Sequence, residues 1–488
     1  MSAAGIGRQT LKGALWLSGA GVAIAVANFG IFAVIARSIE PAELGLVSFE
    51  ALCMELVRMA LFAAVTDAVI SRSDMDEAYV NTAFWVALAA GFAAFLACAA
   101  LASPVVERIY GHQAGVILAA LSIILLLEAP RCVQEGLFKR SFRYQAIAWR
   151  LSLATLGSGL LAVPLALAGW GPWALVAQRV AFSALQLLLS WRALGWSPGM
   201  QFSPDHAWDL GRYWSGASAS RVLSQVGERA PEAVVGFVTG LEALAFYRVG
   251  SRALEAVSQL VLQPAAGVAL SALARFEARE RETQFLRMLR LVLVVAVPAY
   301  YGAGQVAPEF VQLLFGPRWA PSAEVMTVLA FAAAPTVVLA LLASLVLASG
   351  KTRLLSKMST FAVALISLAV LAGAFFGLTA AVVAQVMGAH AALYLSVRVL
   401  AAGLGCSERN IWRVVGPPVL AGLAMVLVLT PLRTFMADTP VLLRFALLCA
   451  VGAVSYGACL ALATRDYAVG AWKDLDLLLP AGWRSGRS

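Results

Sequence analysis

Fourteen apolar runs fill nearly the whole chain, most of them about 20 residues long or more, and they leave few ways to fold. At 1.5 Å per residue, a helix of that length crosses a hydrocarbon core of about 30 Å. Lipid offers no water to the backbone, so each run has to close its own hydrogen bonds as a helix. The runs lie near residues 13–36, 44–70, 80–103, 115–136, 146–168, 172–194, 211–238, 242–272, 286–304, 325–348, 356–376, 379–400, 412–431 and 440–464. Hydrophobic residues make up 61% of the 488 and charged residues only 13%, with a mean hydropathy of +0.83. Such values do not belong to a soluble domain of this length. The sequence therefore predicts an all-α polytopic membrane protein of about 14 transmembrane helices, with no hydrophilic block large enough to fold alone. The first run follows Arg8 and Lys12 but exceeds a signal-peptide core, so it is read as the first span.

Basic residues set the orientation, because loops rich in Lys and Arg resist translocation. With the N terminus inside, the outer connections hold Arg37, Arg108, Arg318, Arg433 and Arg444. Six more arginines lie within the apolar runs, and the rest of the 36 basic residues fall on the cytoplasmic side. Both termini are thus expected in the cytoplasm, with the chain in a bacterial inner membrane. Topology accounts for the net charge of +9, which removes the case for nucleic acid as a partner. The basic stretches 131–150 and 275–290 are expected in cytoplasmic loops, within reach of anionic headgroups of the membrane lipids. The six cysteines (Cys53, Cys98, Cys132, Cys406, Cys449 and Cys459) show no CxxC spacing, so free thiols and no metal site are expected. No cofactor motif is present either.

The two halves of the chain repeat weakly. Tyr110-Gly111 with Pro130 recurs as Phe315-Gly316 with Pro335, at an offset of 205. Ala174-Leu175-Val176-Ala177-Gln178 after Gly171 recurs as Val382-Val383-Ala384-Gln385 after Gly377, and Leu44-Gly45-Leu46-Val47 is matched less well by Leu244-Ala245-Phe246-Tyr247. Order and drifting offsets favour a duplicated bundle. The expected domains are an N-terminal six-helix lobe over 1–200, a second over 201–405, an extra helix pair over 406–465 and a cytoplasmic tail over 466–488.

The charges inside the apolar runs carry the functional reading, since one guanidinium at the bilayer centre costs about 2.5–3.5 kcal/mol on insertion scales. Arg58, Arg179, Arg221, Arg229, Arg248 and Arg252 each need a carboxylate, a watery cavity or an anionic ligand. In the seventh run Arg221, Gln225, Glu228 and Glu232 advance by 4, 3 and 4 residues along one helix face, and Arg248, Arg252, Glu255 and Gln259 do likewise in the eighth. The two strips mirror each other about Gly240, so Glu232 is expected opposite Arg248 and Glu228 opposite Arg252. Arg221 and Arg229 lack an evident acidic mate across that hairpin, although Arg229 has Glu228 and Glu232 close by on its own helix. Glu55 and Arg58 are spaced for a local pair. Arg179 heads a strip with Ser183, Gln186 and Ser190. The candidates for holding a diphosphate are Arg58, Arg179, Arg221, Arg229 and Arg252, because a planar guanidinium donates paired hydrogen bonds to phosphate and stays protonated. Glu55, Asp67, Glu228, Glu232, Arg248, Glu255 and His390 are candidates for ion coupling or for structural pairing.

Enzyme chemistry finds no foothold: there is no Walker lysine, GxSxG or HExxH, and no catalytic residue is assigned. The short outer connections argue against a glycan polymerase or ligase.

Four stretches carry a family resemblance: Ala36-Arg37-Ser38-Ile39-Glu40-Pro41-Ala42-Glu43-Leu44-Gly45-Leu46-Val47, Leu137-Phe138-Lys139-Arg140-Ser141-Phe142-Arg143-Tyr144, Gly169-Trp170-Gly171-Pro172-Trp173-Ala174-Leu175-Val176 and Leu314-Phe315-Gly316-Pro317-Arg318-Trp319. With these the chain resembles the polysaccharide transporter family of lipopolysaccharide and exopolysaccharide flippases, within the multidrug/oligosaccharidyl-lipid/polysaccharide exporter superfamily. The resemblance implies two six-helix lobes that open a central cavity alternately. It also implies an undecaprenyl-diphosphate-linked oligosaccharide as substrate, moved to the periplasmic leaflet, with a polysaccharide polymerase and a chain-length regulator as partners. A cation-coupled multidrug exporter of the same superfamily is the competing reading. Its cavity would be net acidic, whereas arginine dominates the intramembrane charges here.

Overall fold

The computed structural model describes residues 24–72, 75–463 and 467; within these, the side chains of 215–226, 228, 278 and 463 are not described. Residues 13–23 of the first expected span, and all but Tyr467 of the expected tail, lie outside the described residues. Among the described residues every regular element is a helix, and each of the fourteen apolar runs overlaps one. In chain order these are α1 (Ile24–Ser38), α2 (Pro41–Ser71), α3 (Glu77–Tyr110), α4 (His112–Arg140), α5 (Tyr144–Leu167), α6 (Pro172–Leu194), α7 (Pro204–Val234) and α8 (Leu241–Leu273). They continue as α9 (Ala278–Gln305), α10 (Ala307–Leu314), α11 (Ala320–Ala330), α12 (Ala333–Ala348), α13 (Thr352–Ala374), α14 (Leu378–Leu404), α15 (Glu408–Phe435) and α16 (Val441–Ala463). Ten are long and apolar enough to cross a membrane, and the bent pair α11 and α12 meets the same test when taken together. The chain is an all-α multi-span membrane protein.

Two helices depart from the apolar rule. Helices α2 and α7 are each 31 residues long, about 46 Å at 1.5 Å per residue, yet neither is among the ten. Their charges exclude a face-on position in lipid, so they have to pack on protein or line water. Helix α2 packs against α4 and α7, and α7 also touches α3.

The chain divides into two compact units. The first holds residues 1–236 and 240–245, and the second holds 237–239 and 246–488. Helix α7 falls in the first unit, where it packs along α2 and α3. In the first unit α5 pairs with α6 and α4 contacts α2, α3 and α6; in the second α13 pairs with α14, and α15 bridges α9 and α16.

Backbone geometry repeats between the units where the sequence does. Gly111 has φ 94° and ψ 168°, Gly316 has φ 94° and ψ 172°, and each follows an eight-residue helix, Ser103–Tyr110 or Ala307–Leu314. Gly195 and Gly405 end α6 and α14 in the left-handed conformation, at φ 67° and 71°. Pro130 is accommodated inside an unbroken α4, whereas at Pro335 the chain bends by 53° between α11 and α12. Proline removes an N–H and crowds the carbonyl four residues back, which favours the break.

The weakest sequence match, 44–47 against 244–247, has a better counterpart at the offset of 205. A Cβ added to Gly45 would lie 1.8 Å from the Leu241 carbonyl oxygen, and one added to Gly250 would lie 2.7 Å from that of Ser322. Both glycines let a helix approach another segment's backbone closely. Gly45→Ala should therefore lower the melting temperature of the purified protein, whereas alanine at Gly211, which has open space around it, should leave the temperature within about 1 °C.

Candidate functional site

Charged side chains of the first unit form a chain of ion pairs. Arg58 on α2 donates from Nε to Glu55 Oε2 at 2.9 Å and from Nη1 to Glu128 Oε2 on α4 at 3.3 Å. Glu128 accepts from Arg131 Nε at 2.9 Å, and Arg131 reaches Glu135 at 3.5 Å. Glu135 also pairs with Arg150 on α5 and with Lys139 at 3.3 Å; Arg150 donates to Ser190 Oγ on α6 at 2.7 Å. The local Glu55–Arg58 pair expected from the spacing is therefore one end of a longer network.

The α4 members alternate in charge at spacings of 3, 4 and 4 (Glu128, Arg131, Glu135, Lys139), which puts them on one stripe facing α2 and α5. Sequence reading missed this stripe, because it assigned Arg131 and Arg150 to a basic loop. Instead the connection is only residues 141–143, and both arginines sit on helices, with their side chains 16% and 4% exposed. Neither is available to lipid headgroups. The other members of the expected loop are also engaged: Arg140 donates to the Ile70 carbonyl at 3.2 Å, at the C-terminal end of α2, and Arg143 to that of Ala193 at 2.8 Å. Helix carbonyl ends attract such cations. The stretch 275–290 is largely helical too, since α9 begins at Ala278.

At the opposite end, Glu55 gathers arginines. Besides its bonds to Arg58, its charge is acted on by Arg179 of α6 and Arg229 of α7. Arg229 also donates to Glu232 at 3.1 Å, one turn along its own helix; the arginine is 40% exposed while Glu232 is nearly buried, at 9%. Arg58 is thus bonded to a carboxylate more than a third exposed, on which guanidinium groups of two further helices also act electrostatically. The rest of the α6 strip, Ser183, Gln186 and Ser190, is buried inside the unit.

The remaining candidates are spread more widely. The side chains of Arg221, Gln225 and Glu228 lie outside the described residues. Gly240 forms the turn around which the charges mirror, with φ 101°. In the second unit Arg252 stands 3.8 Å from Glu255, both over 40% exposed, and Arg248 precedes Arg252 by one turn. Asp67 lies nearer the end of α2. His390 is on an exposed face of α14, with Nδ1 2.9 Å from the Val386 carbonyl. Two arginines share a buried glutamate: Arg444 Nε lies 2.8 Å and Arg433 Nε 4.0 Å from Glu309 Oε1. Among the described residues no group of His, Cys, Asp and Glu side chains is arranged to hold a metal ion.

Outside the spans, Asp76 caps α3 by accepting from the Tyr79 N–H at 2.9 Å, with His206 Nε2 at 3.3 Å from the other oxygen. The Tyr79 N–H, followed by His206, holds this carboxyl below its ordinary value against the opposing effect of desolvation. A lowered carboxylate stabilises the fold above its unfolded value near pH 4 and loses that effect as pH falls through the folded one. The thermal stability of wild type over Asp76→Ala should accordingly shrink on acidification from pH 7 to pH 3.

Removing one partner of a buried pair leaves the other charge stranded, at about 3–5 kcal/mol. Glu135→Ala should therefore lower thermal stability in detergent markedly more than Glu107→Ala, which removes an exposed partner of His112.

A family model described as polysaccharide biosynthesis protein matches residues 34–324. The chain is 26% identical over 301 residues to succinoglycan biosynthesis transport protein ExoT of Rhizobium meliloti (strain 1021), covering 61% of this chain and only 60% of ExoT. It is 23% identical over 356 residues to teichuronic acid biosynthesis protein TuaB of Bacillus subtilis (strain 168), covering 72% and 73% of the two chains. Among solved structures, the lipid II flippase MurJ in an inward closed conformation superposes with a TM-score of 0.73 at 11% identity, over 92% of this chain and 99% of MurJ. An inward-facing MATE family multidrug resistance transporter gives 0.54 at 14% identity, over 80% and 95%. At these identities the two structures establish a shared fold and nothing finer. With its model matched over more than half of the 488 residues, the chain belongs to the polysaccharide biosynthesis protein family.

Proposed function

We propose that this protein is a flippase that carries an undecaprenyl-diphosphate-linked oligosaccharide across the inner membrane for exopolysaccharide or lipopolysaccharide synthesis, by alternating access and without catalysing a reaction. The observation that carries the reading is that Arg58 is bonded to the partly exposed Glu55, on which Arg179 and the partly exposed Arg229, from two other helices of the first unit, also act electrostatically. A diphosphate bears charge that hydrocarbon does not solvate, whereas its polyprenyl tail is at home there. Fixed guanidinium groups supply paired donors for the phosphate oxygens.

The proposed roles differ. Arg58 bonds to Glu55 and Glu128, so its part is to organise the site and keep Glu55 in place. Arg179 and Arg229 are the proposed phosphate ligands, Arg229 being 40% exposed while it bonds to Glu232. Glu55 keeps the cluster from becoming so positive that the diphosphate is held too long, since transport requires release as much as capture. Arg221 stands on the same helix as Arg229, about two turns before it. In the second unit Arg252 and Glu255 are proposed as a pair that lets α8 carry charge through the membrane. The similarity to the transport protein ExoT and the fold shared with the flippase MurJ support this reading, as does the family. The cytoplasmic placement of both termini and assembly with a polymerase and a chain-length regulator belong to the same proposal.

Proteoliposomes loaded with a fluorescent undecaprenyl-diphosphate oligosaccharide test it. Wild type should expose the glycan on the opposite leaflet, and Arg179→Ala and Arg229→Ala should each slow this about tenfold or more while eluting as folded protein. Unchanged rates in both variants would remove the site, and no movement by wild type would remove the flippase reading.

A further inference from the structure

The second unit contains a cavity of about 710 Å³ with several polar side chains in a largely apolar wall, bounded by α10, the turn Pro317–Trp319, α11, the start of α14 and the end of α15. Its volume is typical of small-molecule sites. We propose that it is a saccharide-binding site for the glycan portion of the transported lipid, an inference that rests on the flippase reading.

Three features of the wall favour a hydroxyl-rich ligand. Gln312, Glu324, Thr379 and Arg433 line it and mix donors with acceptors, as vicinal hydroxyls require. Thr327 lines it too, but its hydroxyl already donates within the protein, to the Gly304 or Ala323 carbonyl at 2.9 or 2.8 Å, so it offers only an acceptor. The wall carries one carboxylate, Glu324, and one guanidinium, Arg433, so an isolated phosphate gains little. An apolar tail would strip water from all five polar groups without replacing their bonds.

The cavity is also rigidly framed. Arg444 stands against buried Glu309, which holds the end of α15 through Arg433. Behind the cavity the side chains of Phe315 and Trp319 are almost fully buried, and Phe246 meets Trp319 edge to face at 6.0 Å. Pro308 and Pro317 restrict the backbone on one side. On the topology expected from the charge count, Arg318 and Arg433 lie in outer connections, which would put the cavity on the side to which the glycan is delivered. A sugar captured there would oppose return of the headgroup.

The test uses Glu324→Gln combined with Gln312→Ala, both at exposed positions, and two substrates: undecaprenyl diphosphate bearing one glucose or cellotetraose. In proteoliposomes the rate for the tetrasaccharide lipid relative to the single-glucose lipid should fall about fivefold or more in the double variant. A ratio equal to that of wild type would overturn the site, whether or not both rates drop together. If wild type moves neither lipid, the flippase reading fails, and saturation-transfer NMR with free cellotetraose then decides the cavity by itself. Contact with wild type that is lost in the double variant upholds a saccharide site, and absence of contact with wild type overturns it.

Discussion

A guanidinium inside a membrane protein has to be answered by an opposite charge, and α4 supplies most of the answers in the first unit. Its stripe of Glu128, Arg131 and Glu135 ties Arg58 of α2 to Arg150 of α5, and through Ser190 to α6. Pairs this buried give little net stability over an apolar core, but breaking one is costly, so they fix the arrangement of the helices. The polar helices α2 and α7 can stand in a membrane protein because such partners meet them on protein-facing sides.

That arrangement grades from sealed to open. Arg150 and Glu128 are buried, whereas Glu55 and Arg229 are each more than a third exposed. The buried end has the character of scaffold, and the open end, where arginine outnumbers glutamate, has that of an anion site. In the second unit Arg433 and Arg444 meet on buried Glu309, and beside Gly316 lies a cavity whose wall carries a few polar side chains.

Much of the fold was readable from residues, because lipid makes helix formation nearly compulsory for a long apolar run. The duplication was readable from Gly111 and Gly316, whose matching φ and ψ values explain why glycine recurs at an offset of 205. Gly45 needed coordinates, since only a neighbouring carbonyl shows why no side chain fits. The sequence misled where helices outlast their hydrocarbon-spanning part. Arg131 and Arg150 lie near the ends of apolar runs and read as loop residues, but α4 and α5 continue past them and turn them inward. The alternating charges at 128, 131, 135 and 139 were a usable signal of that. That α7 packs on α2 and α3 is a helix-to-helix relation that local composition does not encode.

Binding of a short-chain prenyl diphosphate to the purified protein, followed by titration calorimetry at two salt concentrations, tests the central claim most directly. Saturable binding that weakens with salt and is lost in the Arg179→Gln, Arg229→Gln double variant is the predicted result. Binding of equal strength in the double variant, or none in wild type, would contradict an arginine-built diphosphate site in the first unit.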